Sequence, residues 1–162
     1  MPQNVYIPIP AIGDSTTSAN KCLAAWQYPS SGGGWITELS LTVIGALSTD
    51  TILNNYFIAR VASLGTTPAQ SFNAFQMNRS LSNPATVAAA IGPFATDPVP
   101  VTTSGVMEVP WSASVASTRE VMRAWNPGDL PFKESEFYGL FVNINSSTNS
   151  NMKFNGYIYL VV

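Results

Sequence analysis

Asp129, Glu134 and Glu136 fall within eight residues of one another, with Lys133 among them. Closely spaced carboxylates can do two kinds of chemistry. Set about 5–10 Å apart they can cleave a glycosidic bond, one as acid and the other as nucleophile or base. As hard oxygen ligands they can also hold Ca²⁺. Here the spacing matches no calcium loop, and all three residues follow the turn signal Asn126-Pro127-Gly128, so a solvated loop is the expected reading. The chain has no histidine and one cysteine, Cys22. That excludes a Ser-His-Asp or Cys-His nucleophile and leaves zinc without ligands. Gly32-Gly33-Gly34 lacks the Lys-Ser/Thr and the helix start that a phosphate cradle needs, and reads as a loop. The expectation is a protein that is not an enzyme, with no catalytic residue, cofactor or metal.

The charge pattern narrows the partners. Seven basic and nine acidic side chains leave a net charge of −2, and charged residues make up 10% of the chain. An ordinary soluble domain has about 25%. From Val61 to Thr96 the only charged side chain is Arg79. The basic residues are scattered, so phosphate neutralisation has no patch to work from and direct nucleic-acid binding is not expected. No apolar run reaches the roughly 20 residues that span a bilayer, and the Met1-Pro2-Gln3-Asn4 start lacks the basic and apolar segments of a signal peptide. No membrane partner is expected, and Cys22, in an apolar setting, is expected to be a buried thiol in a reducing compartment. A surface this poor in charge fits either a Ser/Thr/Asn coat or cover by neighbours in an assembly.

The elements that would carry such a surface are short apolar runs separated by Gly, Pro, Asn and Ser, an all-β pattern. Strands are expected at Val5–Pro10, Cys22–Tyr28, Trp35–Ala46, Tyr56–Leu64, Gly105–Trp111, Thr118–Trp125, Glu136–Ile144 and Met152–Val162. Ser117-x-x-Glu120 leaves a capped helix as the alternative at 118–125. In the third of these runs Trp35, Leu39, Leu41 and Val43 fall on one face. In the last, Phe154, Ile158 and Leu160 alternate with Tyr157 and Tyr159, and this run is expected to form a hairpin with the strand before it. Residues 65–82 show no period. Asn83 to Gly92 reads as a short helix, with Asn83 as cap, Pro84 in the first turn and Gly92 as the stop. Pro127-Gly128 suits the centre of a type II turn. The expected fold is an all-β antiparallel sandwich of jelly-roll type with one short helix. Residues 1–14 are expected to be an extended arm and 15–162 a single sandwich domain.

Aromatic residues supply the candidate contacts. Trp26, Trp35, Trp111 and Trp125 could stack on sugars, although each borders an apolar strand and is expected in a core or an interface. Tyr157 and Tyr159 should form a tyrosine-rich outer face of the kind that carries protein–protein contact. The arm residues Val5, Tyr6, Ile7, Pro8, Ile9 and Pro10 complete the candidate partner-binding set, held extended by the two prolines.

Low charge, the Pro-rich start at Val5–Pro10, and the stretch Val121–Trp125, Asn126-Pro127-Gly128-Asp129, Phe137–Ile144 and Lys153–Val162 together resemble jelly-roll virion proteins, namely phage cement or decoration proteins and small coat proteins. The resemblance covers about the last 45 residues and contains no diagnostic motif. It implies a capsid cement subunit that stabilises a shell of major capsid protein. It also implies self-association, commonly as a homotrimer, and a place in the virion after assembly in the host cytoplasm. The alternatives are a receptor- or glycan-binding module of a spike or fibre and a small single-jelly-roll coat protein.

Overall fold

The alternating segments form strands, and the strands assemble into two antiparallel sheets. A computed structural model describes residues 2–14, 20–30, 32–44, 52–77, 86–101, 106–107, 113–114, 119–128, 131–145 and 152–162. Within them lie β1 (Asn4–Asp14), β2 (Asn20–Gln27), β3 (Gly34–Ile44), β4 (Ile52–Val61), β5 (Thr66–Asn73), β6 (Phe75–Gln76) and β7 (Ala88–Thr96). These are followed by β8 (Val106–Met107), β9 (Ala113–Ser114), β10 (Arg119–Ala124), β11 (Pro131–Phe132), β12 (Phe137–Asn145) and β13 (Met152–Val161). The first sheet runs β10-β3-β13-β1-β6, with β11 also paired to β3. The second runs β5-β7-β2-β12-β4-β8, with β9 also paired to β4. The pairing is nested: β1 with β13, β2 with β12, β3 with β10, and β4 with β8 and β9.

The sheets are held together by one apolar core. Val5, Ile7 and Ile9 of β1, Ile36, Leu39 and Leu41 of β3, and Phe154, Ile158 and Leu160 of β13 meet Leu23, Ala24 and Trp26 of β2, Ile58 of β4, Ile91 of β7 and Leu140 and Val142 of β12. Most of these side chains are fully buried, each contributing about 1.5–3 kcal/mol. A second cluster joins Cys22, Ala25, Ala59, Val61 and Phe141, with Phe57, Leu64, Phe94 and Phe137 against it. Neighbours in sequence such as Ala24/Ala25, Ile58/Ala59 and Leu140/Phe141 divide between the two clusters, so the second sheet is apolar on both faces. Phe57 and Phe141 face each other in register and stack at 5.1 Å.

Two glycines are required by close backbone approach. A Cβ at Gly156 would lie 1.9 Å from the Ser40 carbonyl oxygen, and one at Gly34 would lie 1.9 Å from that of Val161. Both sit in the antiparallel β3–β13 pairing. Gly128 has φ +85°, the left-handed value that the third position of a type II turn demands.

Several expectations are corrected. Residues 4–14 do not leave the body as an arm: β1 pairs along its length with β13, and Val5, Ile7 and Ile9 are wholly buried. Pro8 and Pro10 are accommodated because β6 covers only Val5 and Tyr6, which leaves β1 near a sheet edge where missing N–H groups cost little. The described residues contain no helix, and Ala88–Gly92 is strand instead. Ala89, Ala90 and Ile91 are buried between β5 and β2, and tertiary burial on both faces overrides alanine's helical propensity. Asn83-Pro84-Ala85 lie outside the described residues. The last two strands are not a hairpin, because β12 lies in one sheet and β13 in the other. Finally, Ile36 rather than Trp35 joins Leu39 on the core face. A bulge in the β3–β13 pairing, where Tyr159 opposes Glu38 and Leu160 opposes Ile36, inserts Thr37 and flips the alternation.

Candidate functional site

The register of the first sheet brings three of the sequence-named residues together. Tyr6 of β1 lies opposite Tyr159 of β13 on one side and Phe75 of β6 on the other. Since Val5 and Ile7 point into the core, Tyr6 points out, and Tyr157 and Tyr159 follow by the same alternation. The rings form a continuous ridge. Phe72 and Phe75 are 5.7 Å apart, Phe75 and Tyr6 stack at 5.3 Å, Tyr6 meets Tyr159 edge-on at 6.0 Å, and Tyr159 meets Tyr157 at 4.6 Å. Phe75 is 49% exposed and Met77, just beyond it, 54%. These are costly groups to leave in water.

Glu38 lies on this face, opposite Tyr159 across the β3–β13 pairing. Its carboxylate accepts a hydrogen bond from the Tyr157 hydroxyl at 2.6 Å, which raises the tyrosine's pKa. The contact ties the ridge to β3. Pro8 lies opposite Tyr157 and is half-buried, and Pro10 is exposed. Val5, Ile7 and Ile9 are core residues and present nothing to a partner. Phe72 and Phe75 were not legible from the sequence, because residues 65–82 carry no apolar period. The pair Phe72-x-x-Phe75 was the available signal.

A second polar constellation sits where β4 and β12 meet. Arg60 Nη1 is 2.9 Å from Glu136 Oε1, and Glu136 Oε2 accepts a hydrogen bond from the Tyr138 hydroxyl at 2.5 Å. The Tyr138 oxygen in turn accepts from the Lys133 backbone N–H at 3.1 Å. Burial and the hydrogen bond to Glu136 push the Tyr138 pKa up to about 12. Its ring belongs to a packed group with Trp26, Tyr28 and Phe132, the closest pair, Phe132 and Tyr138, being 4.2 Å apart. Beside the ion pair lies an open hollow of about 270 Å³ bounded by Arg60, Val61, Ala62, Val101, Ser135, Glu136 and Phe137.

The carboxylate cluster does not form a paired acid and base among the described residues. Both oxygens of Glu136 are engaged, Glu134 is exposed on the turn, and Asp129 lies outside the described residues. The tryptophan platform is also undone where it can be examined. Trp26 is fully buried, Trp125 packs half-buried against the core, Trp35 is half-buried with its indole nitrogen covered, and Trp111 lies outside the described residues. Cys22 is buried, and desolvation raises its pKa well above the ordinary thiol value, which suppresses the nucleophilic thiolate. No protein-family model, no curated protein and no solved structure matches this chain.

Proposed function

We propose that this chain is a structural subunit of a virion, a cement or decoration protein that docks on a shell of major capsid protein and self-associates, as a homotrimer, on its surface. The observation that carries the reading is the aromatic ridge Phe75–Tyr6–Tyr159–Tyr157 on the outer side of the first sheet, which the half-buried Phe72 of β5 adjoins. Glu38 beside it is held in place by the hydrogen bond it accepts from the Tyr157 hydroxyl. Rigid aromatic groups bury large area at low conformational cost, which suits a binding centre.

The strand order supports a jelly-roll reading of the sandwich. Wrapping an eight-strand antiparallel ribbon pairs first with last and works inward, and β1·β13, β2·β12, β3·β10 and β4·β8 follow that nesting. On this reading β5, β6 and β7 are an insertion between the fourth and fifth strands of the roll. Docking then uses a sheet face, with β1 as its scaffold, and not a donated N-terminal strand. The test is binding of purified chain to shells stripped of it. The double variant Phe75→Ser, Tyr159→Ser should keep its cooperative unfolding and lose shell binding by about a hundredfold, as two centre contacts of about 1–2 kcal/mol each imply. A double variant that still binds at full affinity contradicts the assignment of the ridge.

A further inference from the structure

We infer that the hollow beside Arg60 and Glu136 is a binding site for a neutral polyhydroxylated ring, a single pyranose unit. It lies in the second sheet and is independent of the aromatic ridge. The pair Arg60–Glu136, 2.9 Å apart, forms its polar wall. Glu136 is anchored at its side chain and Arg60 at its backbone. Glu136 is fixed by the Tyr138 hydroxyl, which is itself fixed by the Lys133 N–H. The Arg60 backbone is pinned by the Val101 N–H donating to its carbonyl at 2.8 Å and by the neighbouring bridge between Val61 and Pro100. The far rim is Ser135, held at φ +59°, a left-handed conformation that costs a non-glycine residue about 1 kcal/mol or more. Its backbone is clamped by donation to the Pro29 carbonyl and by acceptance from Gln27 Nε2. Val101 and Phe137, both half-buried, supply apolar surface between these polar edges.

The wall selects the ligand class by charge. An anion attracted to Arg60 meets the Glu136 carboxylate, and a cation attracted to Glu136 meets the guanidinium, so either loses what it gains. A hydroxyl pair loses nothing, because one hydroxyl can donate to the carboxylate and its neighbour accept from a guanidinium N–H not committed to Glu136. Adjacent hydroxyls on a ring with an apolar C–H face match a wall of donor and acceptor beside Val101 and Phe137. At about 270 Å³ the hollow is below the 300–1,000 Å³ range of drug-sized sites, which fits a single ring.

The probes are methyl α-D-glucopyranoside, methyl α-D-galactopyranoside, methyl α-D-mannopyranoside and methyl N-acetyl-β-D-glucosaminide, titrated into ¹⁵N-labelled full chain and read by amide shifts. At least one should give saturable millimolar binding, with shifts centred on Arg60, Val61, Ser135 and Phe137. Ala62→Phe, which fills the hollow from an exposed position, should abolish those shifts while leaving the rest of the spectrum in place. Arg60→Met should weaken binding by about tenfold, the loss of one charge-assisted hydrogen bond. The inference is overturned if none of the four glycosides shifts these amides, if Ala62→Phe binds as the parent does, or if sodium acetate saturates the same amides as tightly as any glycoside.

Discussion

Removing residues 2–14 should unfold this protein. Val5, Ile7 and Ile9 are each wholly buried, and at about 1.5–3 kcal/mol apiece their loss withdraws about 5–9 kcal/mol of burial. The deletion also strips β13 of a strand to which nine of its residues are paired. Domains of this kind are stable by about 5–15 kcal/mol in total, so the loss is comparable with everything that holds the fold. A graded version avoids an all-or-none readout. Ile7→Ala should destabilise by about 2–5 kcal/mol, because neighbours in a β-sandwich core collapse only partly into the space left. With a urea dependence of about 2 kcal/mol per molar, the unfolding midpoint should fall by about 1–2.5 M. The assay is urea denaturation followed by tryptophan fluorescence, to which the buried Trp26 reports. A truncated chain with a cooperative transition at the parent midpoint, or Ile7→Ala with an unmoved midpoint, would refute the placement of β1 in the core.

Three further outcomes follow from particular contacts. Gly156→Ala should be among the most destabilising single changes, by about 3 kcal/mol or more, since its Cβ would meet the backbone of Ser40 and Leu41, which cannot swing aside as a side chain can; a melting temperature within a degree or so of the parent would contradict the close approach of β3 and β13. Tyr138, with its pKa raised to about 12, keeps its proton while an unfolded tyrosine loses one near 10. The folded state then binds more protons than the unfolded state, so stability is full below pH 10 and falls as the pH climbs from about 10 to 12. Tyr28, its pKa raised by burial, pushes in the same direction. Urea midpoints measured across that window should drop more steeply for the parent than for Tyr138→Phe. Cys22 should react with a thiol reagent at the rate of unfolding, so that its labelling accelerates with urea in step with loss of structure; rapid labelling of the native chain would contradict its burial.

Where the sequence was legible, one face of a strand was buried and the other was not. Phe154, Ile158 and Leu160 against Tyr157 and Tyr159 spelled out the orientation of β13, and with it half of the aromatic ridge. What alternation does not encode is which sheet a strand joins, so β12 and β13 read as a hairpin although the chain crosses between sheets there. It also fails at a bulge, as between Trp35 and Ile36. Polar edge strands are silent: Thr66–Asn73 is largely exposed and carries no apolar period. Ala88–Ile91 misled in the opposite direction. Small side chains fit a strand enclosed on both faces, yet locally they look like a capped helix. The two proline residues of β1 looked like the mark of a detached arm because an edge position and a free segment tolerate a missing N–H equally well. The Arg60–Glu136 pair spans 76 residues and had no local signature at all.

The docking reading stands or falls on the company the protein keeps. The most direct measurement is sedimentation of lysate from the native source through a density gradient, with mass spectrometry of every fraction. The chain should travel with megadalton particles at a fixed ratio to one larger shell protein, and should leave those fractions when the particles are dissociated. Recovery only at the top of the gradient, as a free small oligomer beside intact particles, would contradict the virion role.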